Sequence, residues 1–197
     1  MCGIVGLLLK KPALRPQLGE LMVPMLIGMT ERGPDSAGLA VFTDPLPEGL
    51  RKISVYAGLT DEGNDYNWAA LLDALNTELK VQAKASIKAN HAVITFEGAS
   101  EPVKAFVKAY GPKLHLLSAG RSIDLYKDIG TPAEVAARYQ FSQLQGSHLV
   151  GHTRMATESA VTPDRAHPFT AGEDFCLVHN GSLSNPNGVR RMLEPRG

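Results

Sequence analysis

Apolar residues open the chain as a block. Ile4 through Leu9 form an almost unbroken run, which at that length predicts a buried strand, with Gly3 and Gly6 allowing another backbone to come close. From Pro12 to Gly33 the period lengthens: Leu18, Leu21, Met22, Met25 and Leu26 fall at helical spacing and predict an amphipathic helix, in which Pro24 demands a kink or a late start. Gly33-Pro34-Asp35 then reads as a turn, Leu39 to Phe42 as a second strand, and the segment DPLPEG as a break.

Between Arg51 and Gln145 strand-like and helix-like stretches alternate. RKISVYAG, HAVITFEG and KLHLLSAG read as strands, while WAALLDALNTEL, EPVKAFVKAY and TPAEVAARYQ read as helices, the last with Thr131 as N-cap and Pro132 in the first turn. Such alternation predicts a small α/β lobe, 51–145, inserted into a single domain that spans 1–197. After it, HLVGHTRMATESAVTPDRAHPF is a strand running into a polar loop, and DFCLVHNG is a strand ending in a tight Asn-Gly turn. A helix over Pro186 to Leu193 is expected to be the last element.

Composition narrows the classes. With 197 residues and 44% hydrophobic content the chain can bury a full core. Twenty Lys and Arg balance twenty Asp and Glu with no long basic block, so charge favours neither nucleic acid nor a membrane surface and fits a small-molecule enzyme better. The first apolar run is too short for a membrane span and lacks the basic leader and cleavage site of an export signal, so a cytoplasmic protein is expected. Cys2 and Cys176 are the only cysteines, which is no disulfide framework and too few thiols for a typical zinc or iron–sulfur site. No metal and no cofactor is expected in this chain. Cys176 reads as a buried strand residue, and His91, His115 and Trp68 as ordinary packing.

Cys2 is placed unusually, directly behind the initiator methionine. Taken alone it could be a small hydrophobe under a strand. Removal of the methionine, which a small second residue permits, would leave one residue holding both a thiol and an α-amine. Their unperturbed pKa values, about 8.5 and about 7.7 to 8.0, make proton exchange between them inexpensive near neutrality. An N-terminal residue whose own amine serves as base is a known nucleophile arrangement. Asn180-Gly181 is, by itself, a common hairpin turn, yet a side-chain amide beside an unobstructed backbone N–H can also form an oxyanion hole. Arg154 is a surface charge or a group suited to bidentate capture of a carboxylate.

The ordered set MCGIVG, ERGPDSAG, GHTRMAT, AHPF and VHNG resembles the class II glutamine amidotransferases, a branch of the N-terminal nucleophile (Ntn) hydrolases. The resemblance covers Met1 to Phe42 and His148 to the end, and looks most like the stand-alone amidotransferase subunits of N-methylglutamate synthase and glutamate synthase-like complexes. It implies an α+β fold, the Ntn αββα sandwich, around the inserted lobe. It further implies that Cys2 attacks the side-chain amide carbon of glutamine, that Asn180 and Gly181 hold the oxyanion, and that Arg154 clamps the substrate α-carboxylate with Thr157 as a nearby donor. Arg32, Asp35, His167 and His179 match positions expected to support the surrounding loops. The ammonia released would pass to a separate synthase subunit, with flavin and iron–sulfur cofactors that belong to that partner.

In one respect the chain departs from this pattern. It stops at MLEPRG, where the family continues to an acidic residue that contacts the substrate amine, so a C-terminally truncated or split product is expected. Two other readings stay open: a non-catalytic assembly or regulatory subunit, and an N-terminal-cysteine hydrolase for another amide.

Overall fold

Strands form where the apolar runs lie. In chain order they and the helices are β1 (Gly3–Leu8), α1 (Leu18–Ile27), β2 (Ser36–Phe42), β3 (Leu50–Ala57), α2 (Trp68–Leu79), β4 (Lys84–Lys88), β5 (His91–Glu97), α3 (Ser100–Tyr110), β6 (Leu114–Gly120), β7 (Ile123–Ile129), α4 (Pro132–Arg138), β8 (His148–Arg154), β9 (Phe169–Thr170), β10 (Cys176–Leu177) and α5 (Pro186–Leu193). The computed structural model describes residues 2–58, 66–156, 161–181 and 184–196.

Several local expectations are met, with differences that have physical causes. The stretch before Leu18 is a 3-10 helix, Pro12–Gln17, so α1 takes the late start and carries Pro24 inside it. Leu18, Met22 and Leu26, one residue every four, are fully buried, whereas Leu21 and Met25 form an exposed flank at 42% and 41%. The second strand begins at Ser36, earlier than its apolar part, because its backbone is needed between two neighbours. α4 starts with a capping box in which the Thr131 side chain accepts from the Glu134 N–H and Glu134 accepts from the Thr131 N–H at 2.8 Å.

Besides the two-residue β9, two strands were not legible in the pattern. β4, KASIK, is a mostly exposed edge strand rich in lysine, and β7, IDLYKDI, buries charges that sequence alone assigns to the surface. They matter because β4 forms a hairpin with β5 and β7 leaves the sheet of β6 to pair with β2, so among the described residues every strand pair is antiparallel where strand–helix alternation suggests parallel crossovers. The molecule is therefore α+β. One sheet runs β1-β8-β2-β7 and another β4-β5-β3-β6, with β9 and β10 as a short separate pair. Within 51–145, the elements up to β6 build the second sheet, and β7 and α4 belong with the first.

Helices cover the outer faces. Leu18, Met22, Leu26 and Val135 from α1 and α4 pack on Val5, Leu39, Val41 and Leu149 of the first sheet. Leu71, Leu75, Val103 and Val107 from α2 and α3 pack on Ile53, Val55, Ile94 and Phe96 of the second. A smaller cluster, Ala40, Ile123 and Leu125 against Tyr56 and Leu117, lies between the sheets. The period of two in β3 sends Ile53, Val55 and Ala57 to the helices. Lys52, Ser54 and Tyr56 consequently face the first sheet.

The seam between the sheets is polar where β7 presents its unpaired edge. The Leu125 N–H donates to Ser54 Oγ at 3.0 Å, the Lys127 N–H donates to His91 Nε2 at 3.4 Å, and Lys52 Nζ meets Asp124 Oδ1 at 2.7 Å. Because Nε2 of His91 accepts, Nδ1 carries the proton and donates to Asn90 Oδ1 at 3.1 Å. Tyr139 Oη reaches the same Asn90 oxygen at 2.6 Å and also touches Asp128, which Arg138 Nη1 pairs at 2.9 Å.

Two expectations follow. Gly19→Ala, a change that gains about 1 kcal/mol in an ordinary helix interior, places a Cβ 2.0 Å from the Phe141 carbonyl oxygen, so it instead destabilises. The loss expected from such overpacking is about 1–3 kcal/mol, read from urea midpoints. The His91 imidazole is fully buried, and burial first, then Lys127 and Arg138, lowers its pKa from 6.5 to about 3. Its neutral form thus contributes stability that is complete above about 6.5 and is lost as pH falls toward about 3, with a slope of about 1.4 kcal/mol per pH unit in between. Denaturation between pH 7 and pH 4 should show at least that slope, and His91→Gln should reduce it by the His91 share.

Candidate active site

Cys2 stands at the head of β1, whose Gly3 is registered against Thr153 of β8. That register, carried one step further, sets Cys2 opposite Arg154. The start of the chain is pressed in place from two sides: a Cβ on Gly3 would lie 2.7 Å from Thr153 Oγ1 and 2.8 Å from the Met29 Cβ. Thr153 Oγ1 in turn donates to the Met29 carbonyl at 3.2 Å. Any residue larger than glycine would push the thiol away from this corner.

Beside Cys2 opens a cavity of about 300 Å³, lined by Cys2, Gly3, Ile4, Met29, Arg32 and Asn180. That is the small end of the range for ligand sites. Cys2 is half-buried and free, and Asn180 Nδ2 donates to the Cys2 carbonyl oxygen at 2.8 Å. A link between residues 178 positions apart in sequence thus closes the site. Arg32, exposed at the end of a 3-10 turn over Thr30–Arg32, supplies positive charge at the rim.

Arg154 ends β8 and is 8% exposed. Its backbone is clamped by Asp35, whose N–H donates to the Arg154 carbonyl at 3.0 Å and whose Oδ2 accepts from the Ala156 N–H at 2.7 Å. The clamp fits closely because Gly33 packs on β8 where a Cβ would come within 2.5 Å of the Thr153 carbonyl carbon.

His167 and His179 meet through a residue that sequence reasoning passed over. His152 Nε2 lies 3.0 Å from the carbonyl oxygen of His179, and the His152 and His167 rings lie tilted at 32° with centroids 4.3 Å apart. His179 is held by its carbonyl, its ring being exposed. Burial, opposed by the bond to His179 and aided by Arg154, lowers the His152 pKa. Burial, then His152, Lys127, His179 and Arg154, brings His167 down to about 4. Both imidazoles are neutral at pH 7.

The structure therefore gathers Cys2, Arg32 and Asn180 around one cavity, with Gly181 following at φ +150. Arg154 and Asp35 form the adjoining corner, and His167 and His179 stand one contact further out. Thr157 lies outside the described residues. The Asn-Gly pair is not the turn of the hairpin expected from sequence: the strand ends at Leu177, and it pairs with β9 before it in the chain. Cys176 is half-buried rather than buried, and joins the cluster between the sheets. His152 was detectable in GHTR, since it shares a strand face with Arg154 two residues on. Among the described residues no group of three or more His, Cys, Asp or Glu could hold a metal, and no helix is long and apolar enough to cross a membrane.

The homologues of the chain are glutamine amidotransferase-like proteins. The glutamine amidotransferase-like protein GlxB of Rhizobium meliloti is 47% identical over 198 residues, covering 100% of this chain and 64% of that protein. A candidate glutamine amidotransferase of Methanothermobacter thermautotrophicus is 32% identical over 219 residues, covering 100% of this chain and 66% of that protein. The glutamine–fructose-6-phosphate aminotransferase of Methanococcus maripaludis is 34% identical over 77 residues, 39% of this chain and 13% of that protein. The chain spans just under two thirds of the length of the first two. It matches no family model.

Asp35→Ala should release the Ala156 amide. A hydrogen bond from a backbone N–H to a charged carboxylate contributes about 1.5–3 kcal/mol. Amide exchange at Ala156 should accordingly accelerate at least tenfold, while exchange in β4 and β5 stays as it was.

Proposed function

We propose that residues 1–197 form a class II glutamine amidotransferase domain of the Ntn type, with 51–145 set within it. Its action is hydrolysis of glutamine through a thioester on Cys2. The observation that carries this reading is the 2.8 Å hydrogen bond that brings Asn180 to Cys2 at the wall of a small cavity. The layered arrangement of two antiparallel sheets between helices supports it, as do the names of the relatives.

With Met1 removed, the Cys2 α-amine takes the thiol proton as Sγ attacks the side-chain carbonyl carbon of glutamine. The Asn180 amide carries two hydrogens; one serves the Cys2 carbonyl and the other is available to the oxyanion, with the Gly181 N–H as second donor. Collapse of the tetrahedral adduct breaks the C–N bond, and the amine passes its proton to the departing ammonia. Water then attacks the thioester, releasing glutamate and restoring the thiol. Arg154 binds the substrate α-carboxylate, aided by Thr157, and Arg32, Asp35, His167 and His179 keep the loops in place. The ammonia goes to a synthase subunit, flavin- and iron–sulfur-containing in this reading, in the cytoplasm.

The test is covalent. A glutamine analogue with a diazoketone in place of the amide should add one adduct, at Cys2, to protein whose intact mass shows Met1 removed, and Cys2→Ala should abolish both adduct and turnover. Arg154→Ala should raise KM for glutamine by roughly 10- to 100-fold, the loss of a charge-assisted carboxylate contact. A folded, processed protein that neither labels nor turns over would favour the assembly role. Faster turnover of another amide, indifferent to Arg154, would favour a different hydrolase.

A further inference from the structure

We propose that His152 is the positioning residue of this site: by donating Nε2–H to the His179 carbonyl, it sets the loop that aims the Asn180 amide at Cys2. The inference rests on the glutaminase reading above for its kinetic consequence, but on geometry alone for its structural one.

A carbonyl oxygen can only accept, so the 3.0 Å contact fixes the hydrogen of neutral His152 on Nε2. His152 is 1% exposed on an internal strand of its sheet, where it is registered against Ile4, a wall residue of the Cys2 cavity. Successive residues of the loop are thus fastened to adjacent strands. The His179 carbonyl is held by β8 through His152, and the Asn180 side chain is held by the residue heading β1 through the Cys2 carbonyl. The first contact is buried on its strand side; the second is exposed, so alone it competes with water for Asn180. The ring itself is braced by His167, whose carbonyl oxygen sits where a Cβ on Gly38 would approach within 2.0 Å. Lys127 Nζ further pins that segment by donating to the Ala166 carbonyl at 2.8 Å. A chain of named contacts therefore runs from β7 through His167 and His152 to Asn180. Loss of the Nε2 donor would free the loop by a distance that matters, since an ångström of misplacement costs on the order of 10²-fold in rate.

The experiment compares His152→Ala with His152→Gln, whose Nε2 can restore the donor. If His152 positions Asn180, the alanine variant loses roughly 10- to 100-fold in kcat with KM for glutamine within about twofold, and the glutamine variant recovers most of the rate. Alkylation of Cys2 by iodoacetamide, which builds no oxyanion, should proceed at the wild-type rate in both. An activity-independent arm reads the Asn180 side-chain amide by NMR, assigned by its absence from Asn180→Asp: its two protons should move toward free-amide shifts in His152→Ala and stay put in His152→Gln. Wild-type kcat or an unmoved Asn180 amide in His152→Ala overturns the inference, as does equal loss in both variants. Wild-type protein inert to glutamine would instead sink the glutaminase reading, leaving the NMR arm to decide the role of His152.

Discussion

β8 uses both of its hydrogen-bonding edges, one for β1 and one for β2, and the surroundings of Cys2 depend on that double engagement. An internal antiparallel strand cannot slip by one residue without sending its whole side-chain set to the other face. Each residue at its far end meets a different part of the molecule. Gly151 admits α1, because a Cβ there would lie 2.9 Å from Met22 Cε and 3.0 Å from Leu26 Cδ1. His152 takes the loop before Asn180, Thr153 takes the segment after α1, and Arg154 takes the turn before β2. A single strand thus registers the chain start against segments far away in sequence.

The second sheet is fastened to the first by polar contacts as well as by the small apolar cluster between them. The edge of β7 offers N–H groups to Ser54 and His91, and a nearly buried Lys52–Asp124 pair sits beside them. Burial raises the Asp124 pKa, and Lys52 pulls it back down. Such groups are costly to remove singly, because the partner left behind is buried without compensation. Chain passage from one sheet to the other is fixed at the turn between β6 and β7, where Asp174 accepts from the backbone N–H groups of Arg121, Ser122 and Ile123 at 2.9, 2.7 and 3.0 Å. Asp174 precedes the strand that leads to Asn180, so the crossover and the loop beside Cys2 share an anchor.

Electrostatics near the cavity leans positive. Arg32 lines the cavity, Arg154 ends the strand beside it and Lys127 lies behind the histidine pair; burial first, then Arg154 and, for His167, Lys127, lowers the pKa values of the imidazoles. Neutral histidines retain one donor and one acceptor each, which fits a role in holding loops. Lys127 is itself engaged, its Nζ donating to the Ala166 carbonyl at 2.8 Å. The corner beside the Cys2 thiol is therefore braced by imidazoles whose pKa values burial lowers.

Sequence alone determined the elements whose patterns are local: the opening strand, α2, α3, α4 with its Thr131 cap, and the apolar strands β3, β5, β6 and β8. It also marked the residues whose chemistry is unusual for their position, Cys2, Arg154 and Asn180, since type and place in the chain suffice for that. It could not show β7 or β4, because charged strands read as loops until partners are known for Asp124, Lys127 and Asp128. Nor could it distinguish a hairpin at Asn180-Gly181 from a loop reaching across to residue 2, or show that His152 bonds to the loop before Asn180. Those choices depend on contacts between segments more than a hundred residues apart, such as His167 against Gly38 and Asn180 against Cys2. Local propensity fixes dihedral angles over a few residues, whereas a site closed by distant segments exists only once the sheets have set their register.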